Sequence, residues 1–416
     1  MPDTTLPATT LAAVDMGSNS FRLELATLQH GRYRRLDYLK ETVRLGGGLD
    51  ADGLLTEEAV ERGLACLRRF AARLDGLPPA QVRAVATQTL REARNRNQFL
   101  LRAEAALGYP IEVISGREEA RLIYAGVAQL QPSDEPRLVV DIGGRSTELI
   151  LGQGRVPQVA ESFAVGSVGL SMRFFTDGAF TPAAFRAAQV AAGAEFEEGL
   201  QTFTRARWQQ ALGSSGTAGA VAQLLRDSGR SDGRITPDNL RWCIERCIEA
   251  GHADRLELPG LKADRKAVIG GGLSILYTLA AQFEVELLLP AKGALRQGVI
   301  VDLQQRRTSQ RKPSSGGDLR DASVAELQRR FAVDTAQADR VAAAALALFQ
   351  QACPEADAAG RRELAWACAL HELGLTVSHH DHHRHSAYLL AHVDAPGFSQ
   401  SQQRRLGELV LGQRGG

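Results

Sequence analysis

The sequence predicts an α/β protein of two related lobes followed by an all-helical region, and three observations carry that reading. An internal echo is the clearest: Val14-Asp15-Met16-Gly17-Ser18-Asn19-Ser20-Phe21-Arg22-Leu23-Glu24-Leu25 returns as Val140-Asp141-Ile142-Gly143-Gly144-Arg145-Ser146-Thr147-Glu148-Leu149-Ile150-Leu151, with Val, Asp, Gly, Ser and two Leu at matching offsets. Strand-like and helix-like segments alternate around each copy, which is the pattern of an α/β layout. After Gly317 the chain turns Ala-, Leu- and Gln-rich at helical spacing and loses its strand signal.

Each echo is an apolar run (Leu11–Val14, Leu138–Val140), a Gly/Ser turn and a second apolar run, so each predicts a β-hairpin. In the first lobe, residues 11–130, the spacing predicts a helix over Thr56–Leu74, a strand Val82–Ala86, a helix Arg91–Leu107, a strand Ile111–Ile114 and a helix Glu118–Leu130. In the second, residues 131–305, it predicts helices Pro182–Phe203, Thr217–Arg226 and Pro237–Ala250. A strand Glu284–Leu289 and a closing helix Ala294–Gln305 complete it. Arg306–Gly317 (RRTSQRKPSSGG) is basic and rich in Ser, Pro and Gly, the composition of an exposed linker. Residues 318–416 form the helical domain.

The bulk numbers exclude several classes of function. A length of 416 residues calls for two or three domains, and 44% hydrophobic with 23% charged residues describes an ordinary globular chain. The 49 basic and 48 acidic side chains leave a net charge of +1, so no global field recruits nucleic acid or an anionic membrane. A polyanion would have to be met by a local basic groove. Five scattered cysteines show no CxxC spacing and read as buried thiols in a reducing compartment, no apolar run approaches the ~20 residues of a membrane span, and the first ten residues do not form a signal peptide. These features predict a cytoplasmic protein.

The turns carry the chemistry. Backbone N–H groups of a Gly/Ser turn converge into a nest for phosphate oxygens, and an Asp at the end of the preceding strand can hold a hydrated cation. One such turn is an ordinary tight turn; two at equivalent places could grip a phosphoanhydride from both sides. Gly213-Ser214-Ser215-Gly216-Thr217 runs from a strand (Gln209–Leu212) into a helix N-terminus, which is either an anion site or a tight strand-to-helix packing point. Gly270-Gly271-Gly272, at the start of another helix, reads instead as a packing point.

At this point the residues match a family. Asp15–Ser20, Thr87-Gln88-Thr89-Leu90-Arg91, Ile114-Ser115-Gly116-Arg117-Glu118-Glu119-Ala120-Arg121, Asp141–Glu148, Gly213–Thr217 and Leu295-Arg296-Gln297-Gly298 closely resemble the exopolyphosphatase / guanosine pentaphosphatase family. The blocks stand in family order over residues 11 to 306, and the SGxEEAR block is the most specific. The resemblance implies two actin-like lobes, of the sugar kinase and chaperone ATPase type, with an active site in the interlobe cleft. It also implies an HD-like helical domain, and a homodimer. Glu119 falls on the family's catalytic glutamate, the base that activates the attacking water. Gly17, Ser18, Asn19, Ser20, Gly143, Gly144 and Ser146 fall on its phosphate contacts, and Arg145, Gly216 and Thr217 in the same loops are expected to bind phosphate with them. Arg91 falls on a phosphate-binding arginine. Asp15, Asp141 and Glu148 fall on its magnesium ligands. Lys40 and Arg44 could extend a basic lining, although exposed strand charges are the expected reading for each.

Three departures from the family pattern matter. Arg145 stands where the family usually has a third glycine, in DIGGRSTE. It could bind an extra phosphate, occupy the site, or turn outward. Seven of nine histidines crowd between His371 and His392, yet the HD signature reads His371-Glu372, without the ligand aspartate; this predicts a solvated or polyphosphate-lining basic loop rather than a metal site. Longer family members continue beyond residue 416, so the chain is either truncated or a naturally short relative. The expected substrate is inorganic polyphosphate, with guanosine pentaphosphate as the alternative. A non-catalytic phosphate or alarmone sensor is a third reading. An ATP-dependent kinase or chaperone of the same fold is disfavoured by the SGxEEAR block.

Overall fold

The apolar run before the first turn becomes a central strand: β1 (Leu11–Met16) is buried at every residue. A computed structural model describes residues 7, 9–311 and 318–414. In the first lobe β1 is followed by β2 (Phe21–Gln29), β3 (Arg32–Glu41), α1 (Glu57–Leu74), β4 (Val82–Ala86), α2 (Gln88–Glu92), α3 (Arg96–Leu107), β5 (Ile111–Val113) and α4 (Gly116–Leu130). The sheet order is β3-β2-β1-β4-β5, with β1–β3 antiparallel and β1 parallel to β4.

The second lobe repeats the scheme with β6 (Arg137–Ile142), β7 (Thr147–Gln153), β8 (Val156–Phe163), α5 (Ser167–Phe174), α6 (Pro182–Phe196), β9 (Gln210–Ser214), α7 (Ser215–Asp227), α8 (Pro237–Ala250), α9 (Ala263–Lys266), α10 (Ile269–Gln282), β10 (Leu288–Pro290) and α11 (Leu295–Arg311). Its sheet order, β10-β9-β6-β7-β8, is that of the first lobe read from the other edge. Asp15↔Arg22 in one hairpin is matched by Asp141↔Glu148 in the other, so the echo in sequence is an echo in register. The two sheets are two copies of one five-stranded architecture.

By its contacts the chain forms two compact units, Met1–Ile111 with Glu119–Gln304 and Glu112–Glu118 with Gln305–Gly416. The second is helical: α12 (Leu319–Arg330), α13 (Thr335–Ala352), α14 (Ala358–Leu370), α15 (His382–His392) and α16 (Gln400–Leu411). Its core gathers Val324, Leu327, Leu370, Leu390, Leu406 and Val410 around Trp366, which meets Phe398 edge to face at 5.0 Å. The histidines disperse: His371, His382 and His383 are buried while His379, His380 and His392 are exposed. His371 Nδ1 lies 2.7 Å from the Cys368 carbonyl. Among the described residues no group of three or more His, Cys, Asp or Glu side chains could hold a metal ion, and no helix is long and apolar enough to cross a membrane.

Several boundaries differ from expectation for local reasons. The helix expected over Arg91–Leu107 is interrupted at Ala93–Asn95, where Asn95 exchanges two hydrogen bonds with the backbone of Leu55. The helix expected to reach Phe203 ends at Phe196, and Gly199 beyond it packs against the Phe163 ring. The strand expected from Glu284 begins only at Leu288, because Glu284 takes a left-handed φ of 54° and the Val285 N–H closes on Ala280 O at the end of α10. Helix α11 continues past Gln305 to Arg311 through half of the segment expected as linker. There Arg306 donates to the Gly397 carbonyl at 2.7 Å. Residues 312–317 lie outside the described residues.

Helices α4 and α11 touch through backbone. A methyl on Gly298 would stand 1.7 Å from the Leu122 carbonyl oxygen, and one on Gly126 2.3 Å from that of Ala294. Closest approach of the two helices therefore requires glycine, which accounts for the last residue of the Leu295–Gly298 block. Gly298→Ala should destabilise by about 1–3 kcal/mol through overpacking, a fall in Tm of roughly 2–4 °C for each kcal/mol. Gly219, on the exposed face of α7, has nothing within 4 Å of the position a methyl would take. Gly219→Ala should leave Tm unchanged or raise it, and thermal denaturation of the two variants side by side measures the contrast.

Candidate active site

The two hairpin turns meet. A methyl on Gly144 would lie 3.0 Å from Ser18 Cβ and 3.5 Å from the Asn19 backbone nitrogen, so the second turn approaches the first closely because Gly144 has no side chain. Each turn is braced from behind through its carbonyls. Gly46 N–H donates to Ser18 O at 2.8 Å and Arg44 N–H to Asn19 O at 2.9 Å. Ser167 N–H donates to Gly143 O at 3.0 Å and Val168 N–H to Gly144 O at 2.8 Å. No backbone carbonyl among the described residues accepts from the N–H groups of Ser18, Asn19, Gly144 or Arg145. Carbonyls are engaged and amides are left over, the polarity an anion needs.

Between the turns lies a cavity of about 320 Å³. Asp15, Gly17, Ser18, Asn19, Ser20, Glu119, Asp141, Gly143, Gly144, Ser146, Gly216 and Thr217 all line it. Of the residues expected at the site, Arg91, Arg145 and Glu148 do not. Arg91 sits behind Glu119, its Nη1 2.8 Å from Glu119 Oε2. Arg145 turns to Glu92, with Nε 2.7 Å from Oε2, and to the Gly46 carbonyl, 3.3 Å from Nη1. Glu148 lies deeper, with Oε1 accepting from the Ser162 hydroxyl at 2.8 Å. Arg44 is exposed, and its backbone rather than its side chain braces the first turn.

Asn19 Nδ2, Ser20 Oγ and Glu148 Oε2 are buried without hydrogen-bond partners. Such groups cost stability unless a ligand, ion or water completes them. Thr217 Oγ1 and Ser215 Oγ both donate to the Ile142 carbonyl at 2.9 Å, tying the third loop to the second turn. Ser215 pays in strain, with a φ of 65°. Gly216 admits the Arg265 guanidinium, which would stand 2.1 Å from a methyl there.

Five cations line the cavity: Arg22, Lys40, Arg265, Lys292 and Arg296. Arg22, Arg265 and Lys292 escaped the sequence reading. Arg22 was legible, since an arginine two residues past the first Gly/Ser turn on an alternating strand shares a face with Ser20. Arg265 and Lys292 lie far from any echo in sequence, and only the fold brings them in. Arg296 is held by Glu24 at 3.2 Å, by the Tyr38 ring with its centroid at 5.0 Å, and by Asp15 at 3.9 Å. Asp15 also pairs with Arg22 at 3.1 Å. Lys40 spans to Asp264 of the second lobe at 3.6 Å.

The carboxylates are tuned in the opposite sense. Burial pushes the Glu119 carboxyl up to about 7, against the pull of Arg91 and with the help of the charges on Asp141 and Asp15. Burial also raises Asp141, with Ser214 and Ser215 opposing. Glu148 is raised well above the ordinary range by burial and by the charges of Glu119 and Asp141. A carboxylate poised near neutrality in a cleft of amides and cations is equipped to take a proton from water beside a phosphate. The neighbouring Glu118 is used differently, accepting from the Gly397 N–H at 2.9 Å.

A model of the Ppx/GppA phosphatase family matches residues 27–307, and a model of domain III of Ppx/GppA phosphatases matches residues 319–416. Among solved structures, an exopolyphosphatase-like protein is 26% identical, with 71% of this chain and 97% of that one covered at a TM-score of 0.63. The PPX-GPPA enzyme of Aquifex aeolicus is 25% identical, with coverages of 70% and 99% at a TM-score of 0.59. An exopolyphosphatase from Cytophaga hutchinsonii, 24% identical over 71% and 98%, shares the fold at a TM-score of 0.64.

A base must be ionised to act, so activity that depends on Glu119 should rise with pH through about 7, and the acid limb of kcat/KM should report it. Glu119→Gln keeps the shape and removes proton acceptance. Its kcat should fall by roughly two to four powers of ten with KM little changed, and the acid limb should disappear. Turnover near the wild-type level in this variant would dismiss Glu119 as the base.

Proposed function

The chain belongs to the Ppx/GppA phosphatase family, and from that premise we propose that it is a cytoplasmic exopolyphosphatase that removes the terminal phosphate of inorganic polyphosphate. One observation supports this above the rest: a buried carboxylate held near neutrality faces two abutting phosphate turns. The terminal phosphoryl group sits against the N–H groups of the two turns, where Asn19 Nδ2 and Ser20 Oγ complete their hydrogen bonds. Glu119 orients a water for in-line attack on phosphorus and takes its proton as the P–O bond to the rest of the chain breaks. Arg22, Arg265 and Arg296 balance charge on the transferring and leaving phosphates, and the site works by position and electrostatics.

Magnesium fits the acidic side of the site. Glu148 Oε2 is a buried carboxylate oxygen without a partner, and Glu119, Asp141 and Glu148 repel one another. Asp141 and Glu148 would hold the ion, since Mg²⁺ commonly takes one or two carboxylates and completes its shell with water and substrate phosphates. Asp15 is a weaker partner because Arg22 and Arg296 already share it. Bound there, the ion would supply charge neutralisation for the phosphate oxygens.

Polyphosphate is favoured over guanosine pentaphosphate by the walls of the cavity. Tyr38 is the single aromatic ring among its described lining residues, and Arg296 and Arg35 already lie over it at 5.0 and 5.6 Å. A base would have to compete with these guanidinium groups for that ring. Orthophosphate release from polyphosphate, guanosine pentaphosphate and ATP, measured in parallel with Mg²⁺, should show the highest kcat/KM for polyphosphate. Chelation should abolish release and added Mg²⁺ restore it. A preference for guanosine pentaphosphate would transfer the assignment to the alarmone, and binding without release from any of the three would mark a sensor.

A further inference from the structure

The side chain of Arg145 begins an unbroken line of hydrogen bonds that ends on Glu119. Arg145 Nε donates to Glu92 Oε2 at 2.7 Å, Gln88 Nε2 donates to Glu92 Oε1 at 2.6 Å, Arg91 Nε donates to Gln88 Oε1 at 2.8 Å, and Arg91 Nη1 donates to Glu119 Oε2 at 2.8 Å. Gln88, Arg91 and Glu92 occupy positions i, i+3 and i+4 of α2, which places them on one face. Thr89 and Leu90 fill the buried side of the same helix. A helix of five residues has too few hydrogen bonds of its own to keep its place. Its side-chain anchors therefore set where Arg91 stands.

The line crosses between lobes. Arg145 belongs to the β6–β7 turn of the second lobe, whereas Glu92, Gln88, Arg91 and Glu119 belong to the first. Arg145 also reaches the carbonyl of Gly46, whose N–H braces the first phosphate turn at Ser18 O. One side chain thus touches both the support of the first turn and the support of Glu119. A glycine at this position could do neither.

We infer that Arg145 is a positioning residue for Glu119, holding α2 in register across the cleft so that Arg91 orients the Glu119 carboxylate toward the attacking water. The inference rests on the reading of Glu119 as the base. It differs from direct phosphate binding by Arg145, which would act on KM, and from a simple interlobe strut, which would act on stability.

Steady-state hydrolysis of polyphosphate by the full chain separates these. Arg145→Gln should lower kcat about 10-fold or more, with KM within about twofold and Tm essentially unchanged. Arg145→Lys, which keeps the charge and a donor for Glu92, should recover part of the loss. Gln88→Ala cuts the same line further along, so it should lower kcat similarly and add little when combined with Arg145→Gln. A rise in KM at constant kcat, a loss of activity that tracks a loss of Tm, or full additivity of the two substitutions would each overturn the proposal. Glu119→Gln, assayed in the same series, isolates the premise: if that variant turns over like the wild type, the base reading fails and the proposal falls with it.

Discussion

The site depends on the contact of two hairpin turns, made close by the missing side chain of Gly144. Gly144 against Ser18 brings two sets of spare amides to one cavity, and a methyl group would already press on that contact. The rest of the duplicated fold serves it. Each turn hangs from a central strand buried on both faces, β1 or β6, and each is braced through its carbonyls by the segment behind it. With their carbonyls engaged, the turns are left with the polarity that phosphate requires. Symmetry of register between the lobes makes both halves of the grip from one structural idea.

Burying acids there has a cost, since desolvation disfavours the ionised forms of Glu119, Asp141 and Glu148 and their mutual repulsion adds to it. The first turn avoids much of that cost by a different arrangement. Asp15 is shared by Arg22 and Arg296, and Arg296 is in turn seated on Glu24 and Tyr38. The cleft therefore has an acidic region only partly compensated, by Arg91 at Glu119, and a cationic region already organised. Glu148 Oε2 and Asn19 Nδ2 are buried without a hydrogen-bond partner, a cost in stability unless another group completes them.

Much of this was legible along the chain because it is local. Strand, turn and strand are contiguous in both echoes, so apolar runs and Gly/Ser turns revealed them directly, and β4 and α8 matched at both ends. Local patterns failed where another segment decides the outcome. Strand β3 carries Arg32, Arg34 and Arg35 on a sheet edge, where exposed arginines keep the edge from pairing but hide the strand from an apolar pattern. Helix α11 outruns a basic, polar segment because Arg306 finds a carbonyl partner 91 residues away. The break between α2 and α3 depends on Asn95 reaching the backbone of Leu55.

The sequence by itself determined the duplicated hairpins, the helical tail and the identity of the groups at the turns, because strand period, turn chemistry and a short motif are properties of neighbouring residues. Only the tertiary structure decided which charges share the cleft. Arg265 and Lys292 enter it from distant segments, Glu148 stays beneath it, and Arg145 turns aside to Glu92. A side chain's direction is set by whichever partner the packed backbone brings within about 3 Å, and for Arg145 that partner lies on the other lobe.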